Sequence, residues 1–196
     1  DTMIETGDYL KRGMPFSAGE EWYRAIRLAP SSLPLHLKLA QIFAEQGKAD
    51  EAVSKYTAVA ESYLWKGDTG KAVDVYRKAL AAAPMAISVR EKLIELLVDQ
   101  EEIDQALDEY LVLAESHYRL ARVDSALSKY EEALAMAGRT KAPDAWRVRI
   151  LHRVADLQMQ RVHWSEAEGI YEKILTIAPD DEQAGYRLVE LRYRLG

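Results

Sequence analysis

The chain has 196 residues, 48% hydrophobic and 30% charged with a formal net charge of −6, which places it among folded proteins rather than disordered ones. The negative balance argues against a nucleic-acid partner, and the lack of any cysteine excludes disulfides and thiolate metal sites. No apolar run approaches the roughly 18 residues that span a bilayer and no signal-like segment opens the chain, so no membrane is expected as a partner and the expected location is cytoplasmic.

An amphipathic stretch is already under way at Asp1, with no initiator Met, and the sequence reads as a piece of a longer protein. The spacing predicts helices over 1–12 and 17–29, separated by Gly13. The second carries Ala18, Trp22, Ala25 and Pro30: a small residue, an aromatic, a small residue and a helix breaker. Places 0, 4 and 7 line one face of a helix, the stripe that packing buries. Helix 33–46 follows and stops at Gly47; helix 50–66 repeats the pattern at Ala52, Tyr56 and Val59 without a breaker. After Gly67, helix 70–83 has Ala72, Tyr76, Ala79 and Pro84, and helix 86–99 precedes Ala106, Tyr110 and Leu113 in helix 104–120. Helix 124–137 holds Ala126, Tyr130 and Ala133 and closes on Gly138. Helices 144–162, 165–177 (with Ala167, Tyr171, Ile174 and Pro179) and 181–195 complete eleven, and no strand is expected. Asp50, Asp68, Asp104, Asp124 and Ser165 stand where N-caps are expected, with Ser165 and Glu168 spaced as a capping box.

Ala18 to Ala52 and Ala72 to Ala106 are each 34 residues, whereas Ala52 to Ala72 and Ala106 to Ala126 are each 20. A step of 20 is too short for a two-helix hairpin, so helices 50–66 and 104–120 each serve two neighbours. The larger unit is three helices over 54 residues, and it requires Ala60 and Ala114, in the repeated run AES, to be buried. Ala126 to Ala167 is 41, and the additional residues fall in GRTKAPD (138–144), the expected hinge, where Asp144 should cap the next helix.

These residues resemble the tetratricopeptide (TPR) family. Leu39, Ala40, Phe43, Gly47, Ala52 and Tyr56 fall where that family places its leucine, small residue, tyrosine, glycine, alanine and aromatic. The tail WSEAEGIYEKILTIAPDDEQAGYRLVELRYRLG (164–196) is similar to the family consensus, whose loosely kept tryptophan is replaced by His36, Ala145 or Gly185. The resemblance implies an all-α solenoid of antiparallel helical hairpins, a right-handed superhelix, running through residues 1–196 as a single domain. It also implies a non-catalytic scaffold that binds a protein or peptide. The alternative is a structural spacer or regulatory module for a separate catalytic or sensory domain.

Catalysis has no foothold in the sequence, and neither a cofactor nor a metal is expected. His36, His117, His152 and His163 lie on separate segments without ligand spacing; the first two read as packing, the others as solvated or capping. GDTGK (67–71) lacks the upstream glycine and the Ser/Thr of a phosphate loop. Glu101–Glu102 and Asp180–Asp181 stand at helix boundaries, where capping accounts for them. The family's carboxylate clamp needs Lys and Asn where this chain has Leu37 and Gln41, or Glu91 and Glu95.

Two candidate surfaces remain. The inner-face place is held by Gln41, Glu61, Glu95, Glu115, Asp156 and Glu190, a row that would attract a basic segment. The plainer reading is a solvated row neutralised by Arg119 to Glu115, Arg153 to Asp156 and Arg194 to Glu190. Among the aromatics, Trp65, Trp146, Trp164 and Tyr118 lie at helix ends or outside the repeat pattern. At the end of the chain, Leu188, Leu191 and Leu195, with Tyr193 alongside, form a strip without a following helix to cover it. A homodimer through this C-terminal helix is one expected cover.

Overall fold

A computed structural model describes residues 32–195; the helices expected over 1–12 and 17–29, with Gly13, lie outside them. The described residues form nine helices and no strand. They are α1 (Leu33–Glu45), α2 (Ala49–Trp65), α3 (Thr69–Ala82), α4 (Ile87–Asp99), α5 (Ile103–Arg119), α6 (Val123–Arg139), α7 (Asp144–Gln160), α8 (Trp164–Ile177) and α9 (Glu182–Leu195). The chain divides into two compact units, Asp1–Leu96 and Leu97–Gly196, with the boundary inside α4. The segment 138–144 lies within the second unit.

In the first unit α2 packs against both α1 and α3. Its inward side presents Ala52, Tyr56, Val59 and Ala60, all buried. Alanine at such a contact lets two helix backbones approach closely, and the tyrosine ring fills the space beside it. In the second unit α5 packs on α6, α6 on α7, α7 on α8 and α8 on α9. Ala60 and Ala114 both have no exposed surface, and α2, which carries Ala60, is shared between two neighbours.

Six connections are built alike. Gly47, Gly67, Glu101, Ala121, Lys141 and Val162 take φ between 53° and 75°. One residue later the backbone N–H returns to a carbonyl of the preceding helix, as in Lys48 N to Phe43 O and Asp68 N to Tyr63 O (both 2.9 Å). This is the Schellman closure, in which one left-handed residue satisfies carbonyls that the helix end would leave orphaned. The remaining two connections pass through Pro84 and Pro179.

The closure also corrects the expected caps. Lys48, Asp68, Glu102, Arg122 and His163 occupy the N-cap positions, because the residue that closes one helix opens the next. Of these, Asp68 alone caps through its side chain, accepting from Lys71 N at 3.2 Å. Asp50, Asp104 and Asp124 stand inside the first turn, where their negative charge complements the positive end of the helix dipole instead. Ser165 also lies inside α8, and Glu168 is turned to Arg192 Nε (3.1 Å) rather than back to a cap. Asp144 is the first residue of α7, behind Pro143 at the N-cap, and pairs with Arg147.

Candidate functional site

A tyrosine, a carboxylate from the helix before it and a cation and acid from the helix after it recur in both units. In the first, buried Tyr76 on α3 lies near Glu61 on α2 and near Lys92 and Glu95 on α4. Lys92 Nζ donates to Glu61 Oε1 at 2.5 Å, and this bond raises the Lys92 ammonium above its ordinary value. In the second, Tyr130 on α6 is set among Glu115 on α5 and Arg153 and Asp156 on α7. Tyr171 on α8 has Asp156 on one side and Arg187 and Glu190 of α9 on the other. Burial, then the carboxylates, push all three phenols up, Tyr130 to about 12, while the neighbouring cations work in the opposite direction.

The six residues expected on the inner face divide between the units, three in each. Gln41 accepts from Lys38 and donates to Glu45, and Glu61 is held by Lys92. Glu115 pairs with Arg119 at 3.1 Å, and Glu190 with Arg187 and Arg194 at 2.9 and 2.7 Å. The expected Arg153–Asp156 pair does not form, and among the described residues Glu95, Asp156 and Arg153 carry no ion pair. Three acids of the row, Glu61, Glu115 and Glu190, are thus paired within the chain, and Glu95 and Asp156 are not. The tyrosines were singled out in the sequence as core alone. Their signal as site residues was the cation three places before an inner-face residue, at Lys38, Lys92, Arg153 and Arg187.

Where α5, α6 and α7 meet, a cleft of about 80 Å³ is lined by Glu115, Tyr118, Tyr130, Arg153, Asp156, Leu157 and Gln160. The Tyr118 hydroxyl donates to Gln160 Oε1 and ties α5 to α7 along its edge. Of the tryptophans, Trp65 is exposed. Trp146 donates to Asp104 Oδ1 at 2.6 Å under the Arg149 guanidinium, and Trp164 is half-buried beneath Arg194.

The end strip needs correction. Leu188 and Leu191 are buried, the latter with no exposed surface, in a core with Ala167, Tyr171 and Ile174 of α8. Helix α9 presents two apolar stripes, and Ala184, Leu188 and Leu191 form the inward one at the same 0, 4, 7 spacing seen upstream. The outward stripe is Tyr186, Val189 and Tyr193, continued by Leu195. An apolar contact made through the exposed face of this helix would use that second set.

His117 is buried, whereas His163 stands at the N-cap of α8 without a side-chain bond. Contrary to a solvated or capping role, His152 is mostly buried, edge-on to Tyr171. Its Nε2 meets Asp181 Oδ2 at 2.9 Å, and Asp181 also caps α9 by accepting from Ala184 N. In 67–71 the Lys71 ammonium is engaged by Asp68 at 2.5 Å, which occupies the start of α3. Among the described residues no group of His, Asp or Glu is arranged to hold a metal, and no helix is long and apolar enough to cross a membrane.

Two family models, both described as tetratricopeptide repeat, match residues 35–63 and 111–182. No curated protein sequence matches the chain. Solved structures similar to it include a TPR repeats protein from Bacteroides fragilis, 10% identical, with 98% of this chain and 97% of that one covered at a TM-score of 0.48. A thermophilic TPR protein of Thermus thermophilus is 17% identical over the same shares, with a TM-score of 0.37. A chain of the APC/C hetero-tetramer Cut9–Hcn1 is 14% identical with a TM-score of 0.37; 93% of this chain is covered, and it spans 40% of that one.

Proposed function

Because this chain belongs to the tetratricopeptide-repeat family, we propose that it is a non-catalytic protein-interaction scaffold whose second unit holds a partner's peptide segment where α5, α6 and α7 meet. Repeats of this family generally mediate protein–protein interactions. The observation that carries the reading here is the cleft itself. Asp156 and Arg153 line it without an ion pair, so both can engage a partner without first breaking an internal bond. An engaged charge would have to be freed at a cost that offsets much of the new contact. A structural spacer is the second reading, favoured elsewhere on the row, where Glu61 and Glu190 are already neutralised.

The test is selection from a random dodecapeptide display library against the purified chain, followed by hydrogen exchange with each selected peptide bound. Protection is expected within residues 111–160. Failure to obtain any binder, or protection confined to other helices, refutes the assignment. Reversing both charges, Asp156→Lys with Arg153→Glu, is expected to abolish binding of peptides selected on the unmodified chain.

A further inference from the structure

We propose that the exposed face of α9 is a self-association surface, on which α9 of a second copy of this chain lies antiparallel about a two-fold axis. The inference uses other residues than the cleft and does not depend on it. Tyr186, Val189 and Tyr193 are 77%, 69% and 91% exposed. With Glu182 they stand at places 0, 4, 7 and 11, which keep to one face of a helix over three turns. Single apolar side chains in water are ordinary, whereas a continuous row of them marks a surface that associates.

The row complements itself, which selects a second copy as its cover. In a two-fold contact each residue meets on the partner the one that meets it in return. An antiparallel register centred between Arg187 and Leu188 sets Tyr186 of each copy opposite Val189 of the other, and Glu182 level with Arg192 and Tyr193. Gly185 adjoins Tyr186 without a side chain, and a Cβ added there meets nothing within 4 Å, so the ring has open space to enter. A tyrosine beside small residues is also what α2 buries inward, at Ala52, Tyr56 and Val59. Charge agrees with shape. Among the described residues Glu182 carries no ion pair. Arg192 and Arg194, although bonded to Glu168, Glu172 and Glu190, each retain guanidinium N–H groups that no hydrogen bond uses. Antiparallel pairing therefore brings an acidic helix start to an arginine-bearing helix end twice, and it opposes the two helix dipoles. Parallel pairing would set Glu182 on Glu182. One pair of 14-residue helices makes a small interface, below about 1,200 Å², so the association is weak and reversible.

Sedimentation equilibrium of the full chain from about 5 to 500 µM should show the mass rising from that of one chain toward that of two. Val189→Glu with Tyr193→Glu changes exposed positions only and should leave the circular dichroism unchanged while weakening the dimer at least about tenfold. Val189→Leu should preserve it. Glu182→Gln should weaken it about threefold, and so should raising the salt to about 1 M if the end charges contribute. A chain that stays monomeric throughout would overturn the proposal, as would a dimer indifferent to Val189→Glu with Tyr193→Glu. Assembly beyond two copies would exclude the closed two-fold contact. Tightening by Glu182→Gln would mean that like ends meet and would overturn the antiparallel arrangement. None of these outcomes bears on peptide binding at the cleft.

Discussion

The turns at Gly67 and Ala121 are equivalent positions 54 residues apart, and exchanging their residue types should have opposite effects. Gly67 has φ of 75° and Ala121 of 57°, both in the left-handed region. A Cβ added at Gly67 meets nothing within 4 Å, so Gly67→Ala introduces no clash and its cost is conformational. Left-handed backbone costs an L-residue roughly 1–2 kcal/mol, while replacing glycine recovers roughly 0.5–1 kcal/mol of chain entropy from the unfolded state. The net is a loss of about 1 kcal/mol for Gly67→Ala and a gain of about 1 kcal/mol for Ala121→Gly, since the Ala121 methyl is exposed and buries little. Hydrogen exchange reads this locally, at the Asp68 and Arg122 amides that close the two turns. Protection at Asp68 should fall about fivefold in the first variant, and protection at Arg122 should rise about as much in the second. Neutral behaviour of Gly67→Ala, or destabilisation by Ala121→Gly, would refute the account of these turns.

Two further outcomes follow from the C-terminal helices. Burial raises the Asp181 carboxyl, but hydrogen bonds from His152 and the Ala184 and Gln183 amides outweigh it and hold the group below its ordinary 3.8. A depressed carboxyl stabilises the fold fully above its unfolded value, and that contribution fades as pH falls through the folded one. Asp181→Asn should therefore flatten acid unfolding, followed by circular dichroism, between about pH 5 and pH 3; an unchanged acid limb would count against the His152–Asp181 link. Leu191→Ala should cost about 2–5 kcal/mol in urea unfolding, as a buried leucine does, whereas Tyr193→Ala should change stability by less than about 0.5 kcal/mol. Equal effects would mean that the two stripes of α9 had been assigned to the wrong sides.

Helix positions were legible because a buried face leaves a period that every repeat must keep, as at Ala72, Tyr76 and Ala79. Sharing of α2 was legible for the same reason: a step of 20 leaves room for one helix between Ala52 and Ala72. The caps were not. A side-chain cap and a Schellman closure both place polar residues near a helix start, and in Asp50 and Asp124 the local sequence alone does not separate them. Nor did the sequence distinguish the sides of α9, since Leu188 and Tyr193 are both apolar enough to be inside. Packing against Tyr171 and Ile174 decides it. The cleft was half legible: Glu115 and Asp156 were on the inner-face row, but Tyr130 read as core because its ring is indeed buried. That it also lines a cleft depends on which side chains three helices bring together.

Packing between consecutive helices, described above for each unit, also governs how the protein comes apart. Contacts close in sequence cost little loop entropy to form, so such arrays fold quickly and lose helices one at a time from an open side. Unfolding of a unit is then a progression rather than a single event, and different helices report different apparent stabilities. A segment lodged among α5, α6 and α7 would clamp the middle of such a progression. Its effect on lifetime would be felt by helices that it never touches.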